Sequence, residues 1–84
     1  MDAYKQFYSD LRKIQDQYDY QTRGYGSINI YDMRDDDTGK RVAGVNWSCA
    51  GTIDVKHAKS FATALTDAVE ACERFNATHD LDDV

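Results

Sequence analysis

Two strand-like segments joined by a short polar loop constrain this chain more than any other feature. The segments SINIYDMR and RVAGVNWS are rich in β-branched and aromatic residues and contain no proline, and DDDTGK separates them. Gly39 can adopt the positive φ that closes such a loop. The sequence therefore predicts an antiparallel β-hairpin.

The length of the loop decides which residues share a face of the hairpin. A four-residue loop, residues 36–39, pairs Asp35 with Lys40 and places Tyr31 across from Gly44. One face is then apolar and suited to receive helices: Ile28, Ile30, Ala43, Val45 and Trp47. The other face is mixed: Ser27, Asn29, Tyr31, Met33, Val42, Gly44 and Ser48. A three-residue loop with a bulge at Gly39 would shift the pairing by one residue and exchange these faces.

Helical periodicity flanks the hairpin on both sides. Residues 2 to about 21 place apolar side chains at i, i+3, i+4 and i+7, and residues 55 to about 76 do so again. Asp54 stands where a helix N-cap is favourable. The segment around Thr52 and Ile53 could add a very short third strand, so the predicted sheet has two or three strands.

These elements predict one α+β domain over residues 1–84, in the order helix, antiparallel sheet, helix. Both helices should cover the Ile30 and Val45 face, with Trp47 buried beneath them. Residues 77–84 read as a frayed acidic tail. A chain of 84 residues buries only a modest core, which leaves little interior for a catalytic cleft.

Charge indicates the kind of partner. The net charge is -5, and residues 52–84 hold seven acids against three bases. Phosphate binding needs a surplus of Lys and Arg, so a basic protein is a better partner than nucleic acid. No signal peptide or membrane segment is visible, which favours the cytoplasm. Cys49 and Cys72 are then expected to be free, buried thiols.

The sequence offers no pattern for a metal, a cofactor or catalysis. A calcium loop needs alternating carboxylates, Gly at the sixth position and Glu at the twelfth. Counted from Asp35, those positions fail, because Gly39 is fifth and Asn46 twelfth. No third group is placed to orient a Cys-His pair as nucleophile and base. We therefore expect no metal, no cofactor and no enzymatic activity.

Carboxylates are the most unusual exposed groups. On a rigid scaffold they can imitate backbone phosphates and fill a groove lined by Arg and Lys. A polar turn at residues 35–37 and ordinary solubility are the simpler interpretations. The candidate partner-binding residues are Tyr31, Asp32, Met33, Asp35, Asp36, Asp37, Glu70 and Glu73.

The run VNWSCAGTIDVKHAKSFATALTDAVEA, Val45 to Ala71, resembles a segment of small phage and prophage proteins. The overall plan is a helix, a small antiparallel sheet and a second helix, with a net negative charge. This plan is similar to that of several phage-encoded anti-CRISPR proteins. One member of that family resembles DNA and occupies the PAM-reading groove of Cas9. The resemblance implies a non-enzymatic inhibitor in the host cytoplasm, with Asp35, Asp36 and Asp37 meeting Arg and Lys of the nuclease.

A second function remains open: a structural or assembly module of a phage or prophage that forms a homodimer through its sheet. Salt distinguishes the two. Dimerisation through Tyr31, Met33 and Val42 should be insensitive to salt, whereas an acidic surface in a basic groove should bind less tightly as salt rises.

Overall fold

The computed structural model describes residues 2–81 as two helices and a three-stranded antiparallel sheet. The elements are α1 (Ala3–Gln17), β1 (Tyr20–Gln21), β2 (Gly26–Arg34), β3 (Arg41–Cys49) and α2 (Val55–Thr78). The strand order is β1-β2-β3, and both helices contact the sheet. The predicted α+β class and its order of helix, sheet and helix are confirmed.

The third strand lies elsewhere than predicted. It is formed by Tyr20–Gln21, within the segment expected to continue α1, and not around Thr52 and Ile53. A tight turn explains the difference: the Thr22 hydroxyl donates to the Gly26 carbonyl (2.8 Å) and accepts from the Tyr25 amide (3.0 Å). This turn returns the chain so that Tyr20 pairs with Ile28.

The hairpin has the four-residue loop and the register that the sequence predicted. The Asp35 amide donates to the Lys40 carbonyl (2.8 Å), the Gly39 amide donates to the Asp35 carbonyl (2.8 Å), and Gly39 has φ 72°. Ile28 stands opposite Trp47 along the same ladder. Pairing at Asp35 and Lys40 means that every second residue of β3, beginning with Arg41, directs its backbone N–H and C=O away from β2.

The core lies between the helices and one side of the sheet, called here the helix-facing side. Phe7 of α1 meets Phe75 of α2 edge to face, with ring centroids 5.1 Å apart, above Ile28 and Ile30. The remaining buried members are Leu11, Ala43, Ala68, Ala71, Cys72 and Leu81. Both helices therefore pack on the side of the sheet that the alternation of Ile28, Ile30 and Ala43 predicted.

Two predictions about burial are wrong. Trp47 is 62% exposed and Cys49 is exposed, whereas Cys72 is buried as expected. The position of β3 explains both, because it is the outer strand of the sheet. Ile28 on the inner strand is fully covered, but its cross-strand partner Trp47 extends past the cover that α2 provides.

The described part of the C-terminal segment is anchored. Helix α2 continues to Thr78, two residues past the predicted end, and Leu81 is 5% exposed within the core. His79 stacks on the Phe75 ring at 3.9 Å, and its Nε2 lies 2.8 Å from Asp10 Oδ2 of α1. Residues 82–84 lie outside the described residues, so the frayed tail stays a prediction there.

Candidate functional site

The hairpin tip, residues 35–40, is stabilised by hydrogen bonds to one of its own aspartates. Asp35 Oδ1 accepts hydrogen bonds from the backbone amides of Asp37 (2.8 Å) and Thr38 (3.3 Å). The Lys40 amide donates to the Thr38 hydroxyl (3.2 Å). The carboxylate of Asp35 thus organises the turn, and it is directed to the loop backbone more than to solvent.

Asp36 and Asp37 differ from Asp35. Both are exposed, and among residues 2–81 neither carboxylate has a hydrogen-bond or ion-pair partner. They stand side by side on a loop whose backbone is already ordered. The tip therefore presents two adjacent, unneutralised carboxylates on a fixed support.

A fourth acid, Asp80, joins the tip from the other end of the chain. Asp80 Oδ1 lies 2.8 Å from Lys40 Nζ, which links the segment after α2 to the loop. The candidate acids of α2, Glu70 and Glu73, are exposed but lie further back along that helix. The predicted acidic surface is consequently divided between the tip and α2.

Asp32 is placed on the helix-facing side, away from the other candidate residues of β2. Its Oδ2 accepts from Arg41 Nη1 (3.0 Å) and from the Tyr8 hydroxyl (3.2 Å). Partial burial, with a further effect of the Asp32 charge, raises the pKa of Tyr8. Asp32 therefore neutralises Arg41 within the chain.

Tyr31 and Met33 lie on the opposite side of the sheet, called here the open face, and are 49% and 44% exposed. Tyr31 pairs with Gly44 as predicted, but the side chain that lies over Gly44 is that of Met33. A β-carbon at Gly44 would lie 2.8 Å from Met33 Cγ. The two side chains border a shallow depression above Gly44 that no helix covers.

The outer edge of β3 carries a contact that the sequence did not predict. The side-chain amide of Asn76 bonds the outward-facing backbone of Ala43 twice: Oδ1 accepts from the Ala43 amide (2.8 Å), and Nδ2 donates to the Ala43 carbonyl (3.0 Å). Asn76 thus takes the place of a neighbouring strand at this point.

Beyond Ala43 the same edge is uncovered. By the alternation of the ladder, Val45, Trp47 and Cys49 also direct their backbone groups outward. Within residues 2–81 none of these groups has a backbone or side-chain partner. This stretch, called here the open edge, was detectable in the sequence, because no charged residue occurs from Val42 to Ile53.

Two further reactive side chains, His57 and Cys72, are engaged within the fold. His57 Nδ1 lies 2.8 Å from Asp54 Oδ1 at the start of α2, and burial raises the pKa of the Cys72 thiol. The described part of the chain contains no group of three His, Cys, Asp or Glu side chains that could hold a metal ion. Neither α1 nor α2, the described helices, combines the length and apolar character needed to cross a membrane.

Comparison of the chain with protein-family models, with curated protein sequences and with solved structures finds no match.

Proposed function

We propose that this protein is a non-enzymatic inhibitor that binds a basic, nucleic-acid-binding protein and blocks its access to DNA. The first candidate partner is a host defence nuclease, a CRISPR effector of the Cas9 type, in the host cytoplasm. The observation that carries the proposal is the hairpin tip, where Asp36 and Asp37 stand unpaired among the described residues while Asp35 holds the loop.

Rigidity of the tip favours binding. A loop that is ordered before the encounter loses little conformational entropy on association, so more of the interaction energy appears as affinity. Two adjacent carboxylates match a groove of Arg and Lys in the way that successive phosphates do, and their charge accelerates the encounter. Asp36 and Asp37 are the residues we place in that groove.

The other candidate residues have different parts in this proposal. Tyr31 and Met33 offer exposed apolar area on the open face of the strand that leads to the tip. Glu70 and Glu73 would meet the partner only if its basic surface extended along α2. Asp32 is left out, because its charge is already compensated by Arg41.

The similarity to anti-CRISPR proteins supports the choice of partner. Members of that family are small, often acidic, and inhibit by binding and not by catalysis. This chain shares the small size, the helix, sheet, helix plan and the net charge of -5.

Capture of a purified Cas9-type effector by the tagged protein tests the proposal. We expect capture at low salt that weakens as salt rises, and loss of capture in the variant Asp36→Lys with Asp37→Lys. A matched control reverses the exposed Asp16 and Asp67 instead, with the same change in net charge. Equal capture by both variants would remove the tip from the site, and no capture by the wild type would reject this partner.

A self-assembling phage or prophage module is the second candidate function. It is favoured by the uncovered parts of the sheet, which expose Tyr31, Met33 and Trp47. Association of this kind should persist at high salt, because it buries apolar surface and backbone groups and does not depend on exposed charge. Measurement of the molar mass at low and high salt distinguishes it from a monomeric inhibitor.

A further inference from the structure

We propose that two copies of this chain pair antiparallel along the open edge of β3, with their α2 helices packed antiparallel above the joined strands. The partner is thus a second copy, and the two sheets become one six-stranded sheet. This interface rests on the second candidate function and gives it a geometry. It is independent of the hairpin tip and so of the proposed inhibition.

The available backbone groups determine the register. Asn76 already bonds Ala43, so from Ala43 to the end of the strand the outward-facing residues without a backbone partner among residues 2–81 are Val45, Trp47 and Cys49. A two-fold axis at Trp47 pairs Val45 with Cys49 of the second copy, and Trp47 with itself. All three residues then exchange their N–H and C=O groups, making about six hydrogen bonds. An axis at Asn46 would instead place Cys49 against Ala43, in competition with Asn76.

The open edge has none of the features that normally prevent such pairing. Edge strands are commonly protected by charged side chains, proline or a covering element. Here residues 42–53 hold no charge and the chain contains no proline. Two chains of net charge -5 can therefore bring these edges together without placing like charges at the contact.

Trp47 supports the same axis. Its side chain belongs to the helix-facing side by alternation, yet it is 62% exposed. At the proposed axis the two Trp47 side chains meet beneath the two α2 helices, where the second copy supplies the missing cover. A large aromatic group at the centre of an interface is a frequent source of binding energy.

The same axis passes near the middle of α2. From Ala43 to Trp47 the strand advances about 13 Å, the length of about nine helical residues. Since Asn76 is fixed at Ala43, the level of Trp47 corresponds to about residue 67 of α2. Val69 and Ala62 precede Asn76 by one and two heptads, so they lie on the same side of the helix as the open edge, and both are exposed.

The exposed residues on this side of α2 match the same residues of a second, antiparallel α2 helix when the two helices cross near residue 67. Antiparallel α2 helices would place Ala62 against Val69 of the second copy. They would also place Lys59, which is exposed, against the exposed Glu73. Each of these contacts occurs twice, so the interface joins apolar surface with opposite charges at its rim.

A designed disulfide tests the register. The variant Val45→Cys should cross-link to the native Cys49 of the second copy under mild oxidation, because directly opposed residues have Cα atoms about 5.5 Å apart, which suits a disulfide. Within one chain these positions are about 13 Å apart on an extended strand and cannot bond. Wild type and Val45→Cys with Cys49→Ser are the controls, and neither should form the covalent dimer. Absence of the cross-link in Val45→Cys would overturn this register.

Sedimentation equilibrium tests the interface without new bonds. We expect a dimer for the wild type and for Tyr31→Lys on the open face, and a monomer for Trp47→Lys. Lys59→Glu and Glu73→Lys should each weaken association about fivefold at low salt, because each places like charges at the exposed rim, and the double exchange should restore it. The tip variant Asp36→Lys with Asp37→Lys should remain a dimer, which separates this proposal from the inhibitory one. A monomeric wild type at every concentration, or a double exchange as weak as the single ones, would overturn it.

Discussion

The two halves of β3 differ in whether their outer edge is hydrogen-bonded and whether their helix-facing side is covered. Near the hairpin tip, Asn76 closes the edge at Ala43, and Phe7 and Phe75 cover the helix-facing side. Toward Cys49 the backbone groups of the edge have no partner among residues 2–81, and Trp47 is exposed. The first half completes the monomer, and the second half is available to a partner.

The difference shows how little is needed to protect a strand edge. One side-chain amide supplies both the acceptor and the donor that a neighbouring strand would provide. The helix that carries Asn76 could have offered further such groups along β3. At the corresponding heptad positions it has Val69 and Ala62, which can cover a partner but cannot bond a backbone.

The largest expected effect on stability comes from the core beside the first half of β3, near the hairpin tip. Phe7→Ala removes a completely buried ring that contacts Phe75, and it should lower the free energy of unfolding by about 3–5 kcal/mol. Urea denaturation followed by circular dichroism measures this change. Tyr31→Ala, which truncates an exposed ring on the open face, is the control and should change stability far less. Similar losses in both variants would contradict the assignment of the core.

A smaller loss of stability is expected when the side chain that bonds the edge of β3 at Ala43 is removed. Asn76→Ala leaves the Ala43 amide and carbonyl without their side-chain partner, and it should lower the free energy of unfolding by about 1–3 kcal/mol. Asn46→Ala, at an exposed position that points to the open face, should have little effect. Equal stability of Asn76→Ala and wild type would show that the edge at Ala43 does not depend on this amide.

The contact between α1 and the end of α2 should depend on pH. Hydrogen bonds from Gln6 and then from His79 hold the pKa of Asp10 below its ordinary value. The folded-state pKa is thus lower than the unfolded one, so the stabilisation is present above about pH 4 and is lost as pH falls through the folded pKa. Asp10→Asn should therefore melt below the wild type at about pH 7, and the two should converge in strong acid. Thermal melts across this pH range measure the difference in melting temperature between the variant and wild type. A difference that stayed constant with pH would contradict a lowered pKa of Asp10.

The smallest effect on the stability of the monomer is expected in the second half of β3, toward Cys49. Because Trp47 is largely exposed, Trp47→Lys should change the stability of dilute protein by no more than about 0.5 kcal/mol. Concentrated protein should differ, because dimerisation raises the melting temperature of wild type with concentration but not that of the variant. Differential scanning calorimetry at two concentrations measures both effects. A melting temperature of wild type that is independent of concentration would contradict the dimer.

Local patterns were sufficient to predict most of the fold. The four-residue loop ending at Gly39, the alternation of Ile28 and Ile30, and the N-cap at Asp54 each depend on neighbours in sequence. The third strand could not be predicted in this way, because β1 exists through the turn at Thr22 and its pairing with β2. Trp47 was misplaced because alternation predicts the side of the sheet but not how far the helices extend over it.

The candidate site was predicted only in part. Adjacent aspartates in a loop reveal an acidic tip, but they do not reveal that Asp35 bonds the loop backbone or that Asp32 pairs with Arg41. The contact of Asn76 with Ala43 joins residues 33 positions apart, and no local pattern announces it. Only the absence of charge from Val42 to Ile53 indicated that this strand differs from a protected edge.

Residue-resolved amide hydrogen exchange along β3, in dilute and in concentrated protein, tests the contrast most directly. We expect the Ala43 amide to exchange slowly at both concentrations, because Asn76 accepts its hydrogen bond. The amides of Val45 and Trp47 should exchange rapidly in dilute protein and slowly in concentrated protein. Rapid exchange of these two amides at both concentrations, or protection of both in dilute protein, would contradict the proposal that the second half of β3 pairs with a second copy.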